Sequence, residues 1–244
     1  RYFKESSSWE RAKMLCYKLT HSIVNEPPIQ VLGDTERKSN KLFLFNQVNT
    51  DNDLFGPIRG YQKILKNDLY NMLNPLLCAK LNTYEVPVIA IHIRRGDFKV
   101  GNPITPESFY INCINTIRLC VNLPWPVTVF TDAEPSEINE VLALPDTKLA
   151  ATKADILDIM LMSKSRVIIS SRSSTFSYWA AFLSEAIVII PGEDWQQKIK
   201  DETSESAYRE IRWLPDENGS QEKLLSALKD SIAQELNSAK KNCD

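Results

Sequence analysis

The sequence predicts an α/β fold: a Rossmann-like parallel sheet wrapped by helices, preceded by a smaller N-terminal α/β part that reads as incomplete. Three observations predict it. Short continuous apolar runs recur, as expected of strands buried on both faces. Segments with apolar residues at helical spacing alternate with those runs. Polar residues suited to a ligand follow two of the runs directly, and open parallel sheets bind ligands at that end of their strands.

From Ser8 to Val24 the residues Met14, Leu15, Tyr17, Leu19 and Ile23 recur at helical spacing, and Asn25-Glu26-Pro27-Pro28 stops that helix. A polar loop from Gly33 to Asn40, a strand from Leu42 to Phe45 and a loop from Thr50 to Pro57 follow. Tyr61 to Leu81 is a second helical pattern, bent or broken at Pro75. The pattern changes at Pro87, which places an N-terminal part over residues 1–84 and a Rossmann-like domain over 85–244. Val88-Ile89-Ala90-Ile91 opens that domain as a buried strand. Thr105-Pro106-Glu107 reads as a helix start, Thr105 the cap and Pro106 the first helical residue, with the helix running to Val121. Strands are expected at Val127–Thr131, Lys148–Ala150, Arg166–Ser170 and Ala186–Ile190. Helices are expected from Pro135, over Ala154–Ser163 and Thr175–Leu183, and in a closing amphipathic segment, Gln221–Leu236.

Composition narrows the partners. A formal net charge of −2 gives no global electrostatic attraction to nucleic acid or an anionic membrane, so any anion site must be local. No apolar run approaches the roughly 20 residues that span a bilayer. The start lacks both a signal-peptide core and an initiator Met, so residues are expected before Arg1. The five cysteines, Cys16, Cys78, Cys113, Cys120 and Cys243, form no C-x-x-C pair and fit a reducing compartment. Cys113 and Cys120, on one helix face, read as buried thiols. Asn218-Gly219-Ser220 is a lone glycosylation sequon, near chance frequency.

Ile89-Ala90-Ile91-His92-Ile93-Arg94-Arg95-Gly96-Asp97 is the most informative stretch. A buried strand delivers His92, Arg94 and Arg95 to its carboxyl end, with His92 and Arg94 on one face. A ring and a guanidinium fork side by side suit a nucleotide: the ring meets a base or ribose, the fork holds diphosphate oxygens. The bland alternative is that Arg94 and Arg95 pair with carboxylates such as Asp97. Arg95-Gly96-Asp97 also spells a cell-adhesion tripeptide, which needs an exposed loop.

The second stretch is the turn Ser170-Ser171-Arg172-Ser173-Ser174-Thr175, between a buried strand and an apolar helix. The unpaired N–H groups of that helix end, with hydroxyl donors beside them, make a phosphate site. Plain capping would need one such residue, not five hydroxyls and an arginine. Upstream, Asp155 suits a helix start. Asp158 sits mid-helix among apolar residues and needs a partner there. A guanine edge and a neighbouring arginine both fit.

Together these segments resemble the α1,2-fucosyltransferase family and, more distantly, the α1,6- and protein O-fucosyltransferases. The matching motifs are His92 to Asp97, Phe130-Thr131-Asp132, and Asp158 through Ile169 to Ser173-Ser174-Thr175-Phe176-Ser177-Tyr178-Trp179-Ala180-Ala181, in order over roughly residues 59–191. The resemblance implies a two-domain GT-B glycosyltransferase that binds GDP-fucose in its second domain and transfers fucose to a glycan acceptor with inversion. It implies Arg94 on the β-phosphate, His92 and Asp158 on guanosine, and Ser173, Ser174 and Thr175 on phosphate, with Arg95 beside them. It implies no metal and no cofactor beyond the donor substrate, and a cytoplasmic enzyme of polysaccharide biosynthesis. Asp97 is the nearest carboxylate for a catalytic base, and equally a salt-bridge partner that orients Arg94 or Arg95. The family's Gly-rich loop, Gly-Gly-x-Gly-Asn-Gln, has no counterpart among this chain's 7 glycines, and Arg172 also departs from the pattern. Two rivals therefore stand beside the transferase: a GDP-sugar-binding pseudo-enzyme and a transferase using another nucleotide sugar.

Overall fold

The computed structural model describes residues 22–25, 41–44, 53–96, 104–192, 194, 196–203, 206–214 and 218–241. Asp97, Cys16, Cys243, the expected loop over residues 33–40 and most of the expected helix over residues 8–24 lie outside the described residues.

Two strands, β1 (Ser22–Asn25) and β2 (Lys41–Leu44), pair in parallel. Ser22 to Val24 therefore close no helix. The β-branched pair Ile23-Val24 joins a ladder, and so short an apolar run is ambiguous by periodicity alone. The second helical pattern is two helices, α1 (Gln62–Met72) and α2 (Pro75–Leu81). Pro75 breaks it as expected, and the Asn74 side chain caps α2 by accepting from Leu76 N at 2.9 Å.

The main body alternates strand and helix: β3 (Ile89–Ile93), α3 (Glu107–Val121), β4 (Val127–Thr131), a 3₁₀ turn (Pro135–Glu137), α4 (Asn139–Leu142) and β5 (Thr147–Leu149). It continues as α5 (Asp155–Met162), β6 (Val167–Ile169), α6 (Thr175–Phe182), β7 (Ile187–Pro191), β8 (Arg209–Trp213) and α7 (Asn218–Lys241). The six strands β3 to β8 form one parallel sheet in the order β5-β4-β3-β6-β7-β8. Counted from β3 this is 3-2-1-4-5-6, the doubly wound order, whose direction reverses between β3 and β6.

Strand alternation divides the core into two layers. Ala90, Phe130, Ile168, Val188 and Ile190 face α5, α6 and the buried side chains Phe55, Leu73 and Leu81. Ile89, Ile91, Ile93, Val129, Val167, Ile169 and Ile187 face α3 and α7. Each fully buried Ile or Val contributes about 1.5–3 kcal/mol, so these two layers hold the strand ends, and the site built on them, in place.

Two local expectations change. Thr105 does not cap α3: its Oγ1 accepts from Arg172 N at 2.9 Å, and Pro106 stands at the cap position. The strand β8 was not predicted. Its Arg-Glu-Ile-Arg-Trp sequence is that of a sheet edge, where alternate residues remain polar. The segment before it shields that edge: Ile199 N donates to Glu210 at 2.9 Å and Arg212 donates to the Gln197 carbonyl at 2.9 Å.

Candidate functional site

The two polar stretches meet where the strand order reverses. Strand β3 lies between β4 and β6, so the ends of β3, β4 and β6 bring His92–Gly96, Asp132 and Ser170–Ser174 side by side. Ser171 joins them. Its Oγ accepts from Arg94 N at 2.8 Å, donates to the His92 carbonyl at 2.7 Å and lies 2.7 Å from the Tyr110 hydroxyl. Ser170, fully buried, shares its hydroxyl with Ser177 at 2.7 Å. Ser171 thus ties the turn to β3 and Ser170 ties it to α6, while Arg172 and Ser173 are part-exposed.

Ser174 is buried and heads α6, yet its side chain makes no cap bond to that helix. Its Oγ lies 3.0 Å from His92 Nδ1 instead. The imidazole, 4% exposed, also stacks on Phe176 with ring centroids 4.8 Å apart. Burial pulls the His92 pKa down to about 4, against the attraction of Asp132, so the ring is neutral at physiological pH. His92 thus braces the turn, and the first N–H groups of α6 are left uncapped by Ser174. Thr175, the first helical residue, is exposed.

Arg94 and Arg95 part company. The Arg94 guanidinium meets Asp132 Oδ2 at 2.9 Å, with about a third of each side chain exposed (32% and 31%). Arg95 is 4% exposed and turns its guanidinium onto the Arg94 carbonyl at 3.0 Å, while its N–H donates to Asp132 Oδ1 at 2.7 Å. Asp132 therefore holds both arginines, one by its side chain and one by its backbone. Gly96 makes room for it: a Cβ there would lie 2.5 Å from Asp132 Oδ2. Of the two arginines, only Arg94 offers its guanidinium at the surface.

Asp158 is half-buried on α5, and among the described residues no arginine forms an ion pair with it. It accepts from the Thr152 hydroxyl. Burial first, and Asp155 second, raise its pKa to about 7. A carboxyl so poorly solvated gains from any strong donor pair that reaches it.

Asp194 and Tyr110 were not anticipated. Asp194 follows β7, and its carboxylate accepts from Ser173 N at 2.6 Å, from Gln196 N at 3.0 Å and from the Tyr178 hydroxyl. Ser173 stands at φ 53°, a left-handed conformation that costs a residue with a Cβ about 1–2 kcal/mol. Tyr110 is fully buried on α3, and burial pushes its phenol pKa up to about 12. The only advance signal for Asp194 was its place just past a strand end.

No known protein family matches the chain, and no curated protein matches it. A solved structure does. The NodZ α1,6-fucosyltransferase, in a crystal soaked with GDP-fucose, is 14% identical with a TM-score of 0.35. The match covers 74% of this chain and 61% of that one, so this chain spans less than two thirds of its neighbour's length.

Among the described residues no three His, Cys, Asp or Glu side chains gather as a metal site, and no helix is long and apolar enough to cross a membrane. The site combines the part-exposed Arg94 guanidinium with a helix start that Ser174 leaves uncapped, at a topological reversal. That set can hold an anion.

Proposed function

We propose that the chain binds GDP-fucose at this reversal point and transfers fucose to a glycan hydroxyl with inversion, in α1,2 linkage. One observation carries the reading: Arg94 and the serine turn, 77 residues apart in sequence between Arg94 and Ser171, are joined by a 2.8 Å hydrogen bond at the place where doubly wound sheets bind nucleotides. Arg94 and the α6 N–H groups, with Ser173 and Thr175 nearby, receive the diphosphate. Asp158 receives the guanine N1–H and N2–H₂ donors. His92, Arg95 and Ser174 fix the frame around them.

In the reaction the acceptor oxygen bonds to the anomeric carbon from the face opposite GDP. The bond from that carbon to the β-phosphate oxygen breaks, and its electron pair leaves with GDP. Arg94 and the α6 N-terminus stabilise the charge that develops there, the largest contribution expected of the protein. The acceptor proton passes to a base or to solvent. Asp97 is the carboxylate to test for that role, and activity largely retained in Asp97→Asn would remove it. The GT-B arrangement implied by the sequence assigns the acceptor to residues 1–84.

Calorimetric titration of GDP, GDP-fucose, ADP and UDP into wild type and Arg94→Ala tests the donor site. The expected result is guanine-selective binding that Arg94→Ala weakens by about 2–5 kcal/mol. Equal affinity for all four ligands, or none, overturns the reading. Binding without transfer to any sugar acceptor leaves the GDP-sugar-binding alternative. NMR of a transferred product fixes the linkage.

A further inference from the structure

Nothing in the proposed reaction uses Asp194, yet its carboxylate takes three hydrogen bonds beside the turn. It comes from the loop after β7, whereas Ser173 comes from the loop after β6. Its Oδ2 takes two donors from the turn and its helix: Ser173 N–H at 2.6 Å and the Tyr178 hydroxyl one turn into α6. Its Oδ1 takes Gln196 N–H at 3.0 Å, which ties the same carboxylate to the segment covering the sheet edge. Tyr178 is fully buried, so this contact anchors α6 from within.

The bond to Ser173 falls on the residue with left-handed backbone. A serine adopts that conformation only where its surroundings hold it there. The left-handed step reverses the chain between Ser171, fixed to β3, and Ser174, fixed to His92. It thereby sets the direction in which the first N–H groups of α6 point. A phosphate site of this kind depends on those directions, since several N–H groups must converge on the same oxygens.

We propose that Asp194 is a positioning residue of the anion site: it clamps Ser173 and Tyr178 and so aims the α6 N-terminus at the ligand's diphosphate. The proposal rests on the GDP-sugar reading for its natural ligand, though not for its geometry. Asp194 acts through the turn and touches no reacting atom.

The test titrates pyrophosphate, guanosine and GDP into wild type, Asp194→Ala, Asp194→Asn and Tyr178→Phe, with thermal unfolding of each protein. Asp194→Ala should weaken GDP and pyrophosphate about tenfold or more, the scale of one hydrogen bond to a charged group, and leave guanosine unchanged. Asp194→Asn keeps a carbonyl oxygen that accepts from Ser173 and Tyr178, gives up only the bond from Gln196 N–H, and should stay within about threefold of wild type. Tyr178→Phe, which leaves the Ser173 bond in place, should fall between the two. If Asp194→Ala does not fold, Tyr178→Phe and Asp194→Asn still decide by their pyrophosphate affinity. Equal losses for guanosine and GDP would mark Asp194 as a general structural staple and overturn the proposal. So would a gain in anion affinity in either Asp194 variant, since the carboxylate would then be competing with the ligand. A wild type that takes pyrophosphate but no guanine nucleotide defeats the GDP-fucose reading and leaves the clamp testable on pyrophosphate. A wild type that binds neither overturns both.

Discussion

Replacing Asp158 with Asn should make the protein more stable at neutral pH and, on the proposed reading, weaken binding of guanine nucleotides. Burial and Asp155 raise the carboxyl from its ordinary 3.8 to about 7. The folded state thus binds a proton more tightly than the unfolded state, and stability falls as pH rises from about 4 to 7. At 1.36 kcal/mol per pH unit, the interval between 3.8 and about 7 corresponds to at most about 4 kcal/mol. Asp158 is only half-buried, so solvent screening reduces the expected cost to roughly 1–2 kcal/mol. Asparagine removes the charge and keeps an oxygen for the Thr152 hydroxyl. The assay is urea unfolding of both proteins from pH 4 to pH 8. The variant should gain roughly 1–2 kcal/mol at pH 7 and nothing near pH 4, where the aspartic acid is already neutral. A variant less stable than wild type at pH 7, or a gain independent of pH, would refute the reasoning. Reduced guanine selectivity in the same variant would identify what the unfavourable carboxyl is kept for.

His92 acts with the opposite sign. Its pKa is depressed from 6.5 to about 4, so its contribution is complete above 6.5 and is lost as pH falls through about 4, by at most about 3 kcal/mol. In an Asp158→Asn background, His92→Gln should flatten the acid limb of the unfolding profile between those values. Gly96→Ala places a Cβ 2.5 Å from Asp132 Oδ2, and should cost about 1–3 kcal/mol together with a loss of GDP affinity as Asp132 releases Arg94. Calorimetry and thermal unfolding read both effects. Lys200 is 1% exposed, lies 3.0 Å from Glu185, donates to the Ser184 carbonyl and sits 4.4 Å from the Tyr208 ring centre. Glu185→Ala removes a half-exposed carboxylate while the Ser184 carbonyl still accepts from the ammonium, and should destabilise by about 1–2 kcal/mol, whereas Lys200→Met should cost less in the same unfolding assay.

The sheet was legible where strands are buried on both faces. Ile89–Ile91 and Ile187–Ile190 read as continuous apolar runs because every residue of those stretches is buried. The same rule hid β8: an edge strand keeps Arg209, Glu210 and Arg212 partly exposed, and their charges mask the Ile211–Trp213 alternation. His92, Arg94 and the serine turn were legible as strand-end chemistry, and the parallel sheet explains why they meet. What the sequence could not disclose is how the polar groups are shared across the chain. Thr105 has the local look of a helix cap, but Arg172 N, 67 residues on, takes its oxygen. Asp132 was visible as the end of a short motif, yet its hold on Arg94 and Arg95 depends on β3 and β4 lying in register with Ile93 opposite Thr131. Asp194 depends on two loops converging, and no spacing rule within either loop encodes that.

On the proposed reading, the Arg94–Asp132 pair lets a protein of net charge −2 present one local cation to an anionic ligand. An ion pair with a third of each side chain exposed is worth about 0–1 kcal/mol, so giving it up costs little. A diphosphate offers the same guanidinium a bidentate partner of higher charge, and the α6 N–H groups add to it from a fixed direction. On the proposed reading, Asp132 holds Arg94 near the position it takes on the diphosphate and limits the side-chain entropy lost on binding. Removing Asp132 would free Arg94 yet leave it disordered, and Arg95 N–H would lose its acceptor as well. Asp132→Asn, which keeps that acceptor and weakens only the ion pair, should therefore bind GDP better than Asp132→Ala. If Asp132→Ala instead matched or exceeded wild type, the carboxylate would be a competitor of the ligand and not the device that prepares its site.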